Sequence, residues 1–292
     1  MEILSAKELS KYLKINEKKV YKLVQELKIP HIKIGGKIAF TKEIIDRWIL
    51  ENTQRENQIL IAGSDDILLK RIIDIYNAQE QSKIFYAPIG SINGLKLLRE
   101  GSATMSCVHI LDIEKKDYNT SYVFRYLSRD DYVVIRLFSR QQGIYVKKGN
   151  PKHINSLKDL IRDDILFVNR NKGSGTRLLL DFLLMENNIE KERIKGYEIE
   201  ETSHLLSGLR IFTGRVDAGF GIRHIAYTLE LDFLPLFEEK FDLVIPKENY
   251  YGQNVQTFLS YFEQPSFMEK IKDFSGYSIE DTGKVIFPYG QI

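Results

Sequence analysis

The stretch at 165–184, ILFVNRNKGSGTRLLLDFLL, decides how the chain is read. Its apolar opening, 165–168, predicts a strand. Arg170-Asn171-Lys172-Gly173-Ser174-Gly175-Thr176-Arg177 follows, and then an apolar run with helical period. A strand, a glycine-bearing turn and a helix in that order aim backbone N–H groups, two hydroxyls and up to three cationic side chains at one spot. The unpaired N–H groups and the dipole of a helix start both favour negative charge there. The glycines let backbone approach a ligand with no Cβ between them. The stretch therefore predicts a small-anion site. The alternative is a tight turn in which Ser174 or Thr176 serves as an ordinary helix cap.

A chain of 292 residues has material for about two domains. Its net charge of +2 is unevenly spread. Residues 1–54 carry 11 Lys/Arg against 7 Asp/Glu, and the remainder 31 against 33. The basic excess points to nucleic acid at the N-terminal end and nowhere else. Cys107 is the only cysteine, which excludes an intrachain disulfide and a thiolate metal cluster, and the five histidines lack ligand spacing. No metal and no cofactor is expected. The opening MEILSAKELSKYLK carries charges where a signal peptide needs an apolar core, and no apolar run reaches membrane-span length. A cytoplasmic protein, away from any membrane, is expected.

Within the first fifty residues Ser5, with Glu8 three positions on, predicts a capped helix over 6–13. Asn16 predicts the cap of a second helix, from Glu17 to about Leu27. Val20, Leu23, Val24 and Leu27 form its buried stripe, and Lys18, Lys19, Tyr21 and Lys22 face outward. The run 32–40, IKIGGKIAF, reads as strand, Gly-Gly turn and strand. Thr41 then caps a helix bearing Ile44, Ile45, Trp48 and Ile49. Helix, turn, basic helix and basic wing make a winged helix-turn-helix, with the second helix in the major groove and Lys33 and Lys37 of the wing on phosphates. SAKELSKYLKINEKKVYKLVQE, the IPHIKIGGKIAF hairpin and IIDRWI resemble the excisionase and MerR-like DNA-binding domains over residues 1–52. The polar residues 53–58 read as a linker or an extension of the last helix.

From Ile59 onward strand and helix patterns alternate, which predicts an α/β fold with parallel strands and ligands at the carboxyl ends of strands. Expected strands cover 59–62, 83–87, 104–108 and 132–137. Three strand-to-helix loops carry Gly-Ser: Gly63-Ser64, Gly90-Ser91 and Gly173-Ser174. Each can offer a hydroxyl and helix N–H groups, which makes Ser64 and Ser91 candidates beside Ser174. The segments LIAGSDD, GSINGLKLLREGSATMSCVHILD, NRNKGSGTRLLLDFLL, GRVDAGFGIRHIA, EEKFDLVIP and GYSIEDTGKVI resemble a type II periplasmic binding protein. More narrowly they resemble the molybdate-binding-like domain found fused to helix-turn-helix regulators. That resemblance implies a two-lobed ligand-binding domain over 59–292, with one lobe from 59–138 and 240–292 and the other from 140–238.

The RNKGSGT run also resembles the R-x-D-G-S-G-T loop of phosphate-binding proteins, which implies that Arg170, Ser174, Gly175 and Thr176 hold oxyanion oxygens. Lys172 stands at the loop's acidic position. A lysine donates but cannot accept, so a pocket of donors alone would select a fully deprotonated dianion such as molybdate, tungstate or sulfate. Ser203, opening a helix after Thr202, is a further candidate. Arg223 and Tyr145, the latter following a turn expected at Arg140-Gln141-Gln142-Gly143, are weaker ones.

The expected protein is a one-component transcriptional regulator, not an enzyme, that senses molybdate or tungstate. A regulator with one small reading head is expected to pair and read two half-sites, as a homodimer held by its α/β domains. Three alternatives stay open on sequence: another small anion or an organic ligand, an excisionase-type structural DNA-binding factor, and an enzyme on a binding-protein fold.

Overall fold

The computed structural model describes residues 2–55, 58–112 and 117–288. The chain divides into two compact units, Met1–Gln58 and Ile59–Ile292.

In the first unit, β1 (Ile3–Ser5) leads into α1 (Ala6–Tyr12), then α2 (Glu17–Gln25), β2 (Ile32–Ile34), β3 (Lys37–Thr41) and α3 (Lys42–Arg55). The Ser5 hydroxyl accepts from the Glu8 N–H at 3.3 Å while the Glu8 carboxylate accepts from the Ser5 N–H at 2.8 Å. Asn16 caps α2 by accepting from the Lys18 N–H at 2.8 Å. Leu9, Val20, Val24, Ile29, Phe40 and Ile45 form the core. The turn between β2 and β3 needs positive φ at Gly35 (54°) and Gly36 (77°), which glycine supplies without a steric cost. Strand β1 goes beyond the sequence expectation; it pairs antiparallel with β3, Leu4 opposite Phe40. Helix α2 stops earlier than expected, because Leu27 adopts a φ of 55° that no helix interior allows. Residues 53–55 belong to α3 and Gln58 opens the next strand, so of the expected linker only Glu56 and Asn57 remain, outside the described residues.

The second unit begins with β4 (Gln58–Gly63), α4 (Ile67–Gln79), β5 (Lys83–Ala87), α5 (Ser91–Arg99) and β6 (Met105–Val108). A short hairpin, β7 (Leu111–Asp112) with β8 (Asp117–Tyr118), and α6 (Thr120–Tyr126) precede the long strand β9 (Tyr132–Val146). Next come β10 (Phe167–Arg170), α7 (Gly175–Glu186), β11 (Glu200–Glu201), α8 (His204–Phe212), β12 (Ala218–Ile222), α9 (Arg223–Thr228) and the second long strand, β13 (Asp232–Pro246). The chain closes with α10 (Lys247–Tyr250), α11 (Gln253–Ser260), α12 (Pro265–Lys270), β14 (Tyr277–Ser278) and β15 (Val285–Phe287). Strand order is β11-β10-β12-β9-β13-β6-β4-β5, with β14 and β15 also on β9. Strands β4 and β6 are parallel, as are β10 and β12, while β9 and β13 run antiparallel along their length.

The two long strands define the lobes. In the first lobe Val133, Ile135, Leu137 and Phe138 of β9 pack with Phe241, Leu243 and Ile245 of β13 in one cluster, and Val134 and Val244 in a second; in the other lobe Ile144 and Val146 pack with Leu234, Leu236 and Phe237. Between these stretches lie Ser139, Arg140 and Gln142 of β9 and Glu239 of β13, all buried, with Glu239 opposite Arg140. The apolar pattern breaks where each strand passes from one core to the other. The expected strand at 132–137 therefore runs to Val146, and Arg140-Gln141-Gln142-Gly143 is a buried strand segment instead of a turn. One assignment of lobe changes: Leu111 and Tyr118 of the β7–β8 hairpin pack in the second lobe's core, although they precede β9 in sequence. No helix among the described residues is long and apolar enough to cross a membrane.

Candidate anion-binding cleft

Between the lobes lies a cavity of about 300 Å³. Ser64, Asp65, Pro88, Ile89, Gly90 and His109 come from the segments after β4, β5 and β6, and Asn93 from the first turn of α5. Arg170 comes from the end of β10, Asn171, Ser174 and Thr202 from the segments after β10 and β11, and Gly175 from the start of α7. The carboxyl ends of strands from both lobes thus converge on one space, as an open α/β sheet provides. A smaller cavity of about 190 Å³, bordered by Lys147, Lys152 and Asp217, lies at the far end of β9.

Arg170 is the principal charge of the cleft. It ends β10 and is buried. Its Nε donates to the Glu201 carbonyl at 3.3 Å and its Nη2 to the Thr202 carbonyl at 2.9 Å. These bonds fix the plane of the guanidinium. Nη1 is buried and has no hydrogen-bond partner among the described residues. Burial lowers the pKa of the group, with Asp65 opposing the shift; an arginine still remains cationic near neutral pH. A buried donor of this kind is costly unless something accepts from it.

Two helix starts face the same space. Among the described residues no side chain caps α5, whose preceding residue Gly90 has a φ of 90°. Helix α7 begins after Ser174, and its hydroxyl accepts from the Arg177 N–H at 3.2 Å. Ser174 is thus a helix cap as well as a cavity-lining residue. The Gly-Ser turns meet across the cleft, since a Cβ on Gly90 would stand 3.3 Å from the Gly173 carbonyl oxygen. Ser64 and Ser91 share a hydrogen bond of 2.5 Å between their hydroxyls. Gly175 must be glycine, because a Cβ there would fall 2.2 Å from the His109 carbonyl oxygen and 2.6 Å from its Nε2.

Other expected site residues fall elsewhere. Lys172 points away from the cavity: its side chain is 73% exposed and its ammonium lies 3.2 Å from Glu198. Arg177 turns to Glu198 and Glu200 and lies over the Tyr197 ring. The buried Thr176 hydroxyl accepts from Gln142 at 3.1 Å, behind the cavity wall. Ser203 caps α8, accepting from the Leu206 N–H at 3.1 Å, and does not line the cavity. Arg223 donates to Gln141 at 2.9 Å, and Tyr145 is buried in the second lobe's core. The expectation that three cations of one loop act together is corrected here: a turn spreads adjacent side chains in different directions, and only Arg170 points inward.

Two lining residues escape a reading of the sequence. Asp65 brings a carboxylate to the wall, 3.8 Å from the Arg170 guanidinium, and accepts from the His204 N–H at 3.2 Å across the cleft. His109 follows β6 at the carboxyl end of a strand, the place where ligands are expected. It stacks on Phe241 with ring centroids 5.7 Å apart, and burial holds its imidazole neutral, well below the usual pKa. Behind both, the Arg140 guanidinium pairs with Glu239 and, at 2.5 Å, with Asp66, all fully buried. Cys107 is buried, its thiol pushed up to about 12.

A family model for the PBP superfamily domain matches residues 74–263. The chain belongs to this superfamily. A helix-turn-helix domain model matches residues 3–53, so a PBP-like domain follows a helix-turn-helix domain in one chain. That is the make-up of a DNA-binding regulator with a ligand-binding domain. An uncharacterized protein of Bacillus subtilis (strain 168), YvgK, is 29% identical over 299 residues, 96% of each chain. Among solved structures, an ABC-type phosphate transport receptor from Vibrio cholerae is similar at 16% identity and a TM-score of 0.52, over 76% of this chain and 99% of that one. A tungstate ABC transporter structure from Geobacter sulfurreducens gives 16% and 0.53, over 75% and 99%. A hydrogen-peroxide-bound mutant of OxyR from Corynebacterium glutamicum gives 10% and 0.56, over 92% and 89%. At such low identity these likenesses establish the fold alone.

On the helix-turn-helix domain, Lys18, Lys19, Tyr21 and Lys22 of α2 and Lys33 and Lys37 of the wing are all exposed; Lys22 lies 3.7 Å from Glu26. Replacing Lys18, Lys19 and Lys22 with alanine is expected to flatten the log–log salt dependence of duplex binding by about 0.9 for each phosphate that the variant no longer neutralises. Fluorescence anisotropy at several salt concentrations measures this slope. A slope equal to that of wild type would remove α2 from the DNA interface.

Proposed function

We propose that the chain is a cytoplasmic one-component transcriptional regulator. It binds DNA through its helix-turn-helix and senses a small tetrahedral oxyanion, molybdate or tungstate, between the lobes of its PBP-like domain. The observation that carries this reading is Arg170, a buried cation of the inter-lobe cavity's lining whose Nη1 has no hydrogen-bond partner among the described residues. The starts of α5 and α7 beside it support the same choice, since both favour negative charge. The reading assigns the chain no catalytic step and no cofactor. The anion shifts operator affinity to the extent that it binds one arrangement of the lobes better than another.

Asp65 favours a second reading. An acceptor on the cavity wall suits an anion that keeps a proton, such as hydrogen phosphate, and the outward placement of Lys172 removes the reason to expect a wall of donors alone. Calorimetric titration of the full chain with molybdate, tungstate, sulfate and phosphate separates the two. The first reading expects molybdate and tungstate to bind at about micromolar Kd or tighter, a free energy of roughly −8 kcal/mol. Phosphate binding alone would put the second reading in its place, and binding of none of the four would overturn both.

A further inference from the structure

The inter-lobe cavity is larger than a free oxyanion needs. A tetrahedral oxyanion is one central atom and four oxygens. At about 30 Å³ for each atom, the share of a water molecule in the liquid, it fills no more than roughly half of a cavity of about 300 Å³. That volume stands at the lower end of the range that organic ligands occupy, about 300–1,000 Å³.

The lining indicates what fills the remainder. Pro88 and Ile89 bring apolar surface, Ile89 being 38% exposed, and an inorganic ion has no use for it. Asp65 brings an acceptor, while the side chains of Asn93, Asn171 and Thr202 both donate and accept. Next to the lining, buried polar atoms of both kinds lack hydrogen-bond partners among the described residues. Arg140 Nη2, which can only donate, lies 3.5 Å from His109 Nδ1, so the His109 proton sits on Nε2, an unpartnered donor. Glu239 Oε2, 3.8 Å from that nitrogen, is an unpartnered acceptor. A fully deprotonated ion has no hydrogen to offer an acceptor.

We infer that the oxyanion held in the cleft is the head group of a phosphorylated polyol, a molecule of about ten non-hydrogen atoms whose hydroxyls meet Asp65, Asn93 and Thr202 and whose carbons lie against Pro88 and Ile89. This rests on the reading of the cleft as an oxyanion site and extends the ion into a molecule. The head is phosphoryl because tetrahedral oxygens can take Arg170 and the starts of α5 and α7 from several directions, whereas a carboxylate presents its two oxygens in one plane. The tail carries hydroxyls in place of an ammonium for two reasons. Asp65 already lies 3.8 Å from the Arg170 guanidinium, so its charge is opposed without a cation on the ligand. Asn and Thr side chains pair with a hydroxyl in either direction, but with an ammonium only as acceptors.

Calorimetric titration of the full chain with glycerol 3-phosphate, methyl phosphate, inorganic phosphate and molybdate tests the inference. Glycerol 3-phosphate is expected to bind about 10- to 100-fold tighter than methyl phosphate, which has the same head and no hydroxyl, and tighter than either inorganic ion. Thr202→Val removes a hydroxyl and keeps the carbonyl that holds Arg170. It should weaken glycerol 3-phosphate by about 5- to 10-fold and leave methyl phosphate within about twofold. Asp65→Asn should also narrow the gap between the two esters, and methyl phosphate should bind this variant no more weakly, because a negative charge has gone from beside the head group. Retained binding of methyl phosphate shows that each variant is folded. Equal affinity for the two esters, or a preference for molybdate or inorganic phosphate over glycerol 3-phosphate, would overturn the inference and leave the cleft a site for a free ion. A preference for glycerol 3-phosphate that neither variant reduces would place the polyol outside this cavity and overturn it too. Binding of none of the four would remove the oxyanion reading itself, and this inference with it.

Discussion

Arg170→Met is expected to weaken anion binding by roughly 30- to 1,000-fold, about 2–4 kcal/mol. The guanidinium of this cavity-lining residue is held in place by two backbone carbonyls, and its Nη1 has no partner among the described residues. A hydrogen bond to a charged acceptor is worth about 1.5–3 kcal/mol, and a site removed from bulk water strengthens the Coulomb contribution. Without the arginine, the Asp65 carboxylate also faces the ligand unopposed. Arg170→Lys keeps the charge but loses the planar fork, and should fall between wild type and methionine. Lys172→Ala should change binding by less than about twofold, because an exposed lysine already paired with Glu198 contributes little to a site it does not face. Calorimetric titration of the three variants measures all of this. Equal losses in Lys172→Ala and Arg170→Met would show that the ligand sits outside the inter-lobe cavity.

Arg140→Met is expected to destabilise the α/β unit by about 3–5 kcal/mol, the usual cost of breaking a fully buried ion pair from one side. The guanidinium neutralises Glu239 and Asp66 at once, donates to the Asp65 carbonyl at 3.1 Å, and lies over the Phe241 ring. Its loss leaves two carboxylates buried where the long strands pass between the cores. Adding Glu239→Met should restore part of the stability, since the cost lies in the uncompensated charge more than in the bond itself. Urea unfolding followed by circular dichroism reads the α/β unit, while fluorescence of Trp48, the single tryptophan, reads the N-terminal unit. With a slope of about 2–3 kcal/mol per M, the midpoint of the first signal should fall by about 1–2 M and that of the second should not move. A double variant less stable than Arg140→Met would refute this account of the buried charge cluster.

Several features followed from the order of residues alone, because short-range chemistry produces them. The capping box of Ser5 with Glu8, the Asn16 cap, the Gly35-Gly36 turn and the Ser174 cap each involve residues no more than three apart, whose geometry is set by backbone sterics and one or two hydrogen bonds. The alternation of strand and helix beyond Ile59 was legible for the same reason. The tertiary structure alone decided which way side chains of one loop point. Arg170 and Lys172 are two residues apart, yet the strand end turns one into the cleft and the other to Glu198, and no local preference distinguishes two cations in a turn. It alone brought Asp65, His109 and Arg170 to one wall, because that meeting depends on β9 and β13 carrying the chain from one lobe to the other. It also decided which side of α8 is buried. The leucine-rich side of a helix is ordinarily its buried side, but Ile225 and Leu229 fill the space against Gly208 and leave those leucines outside. Periodicity fixes which residues share a face; what packs against that face is settled by elements distant in sequence.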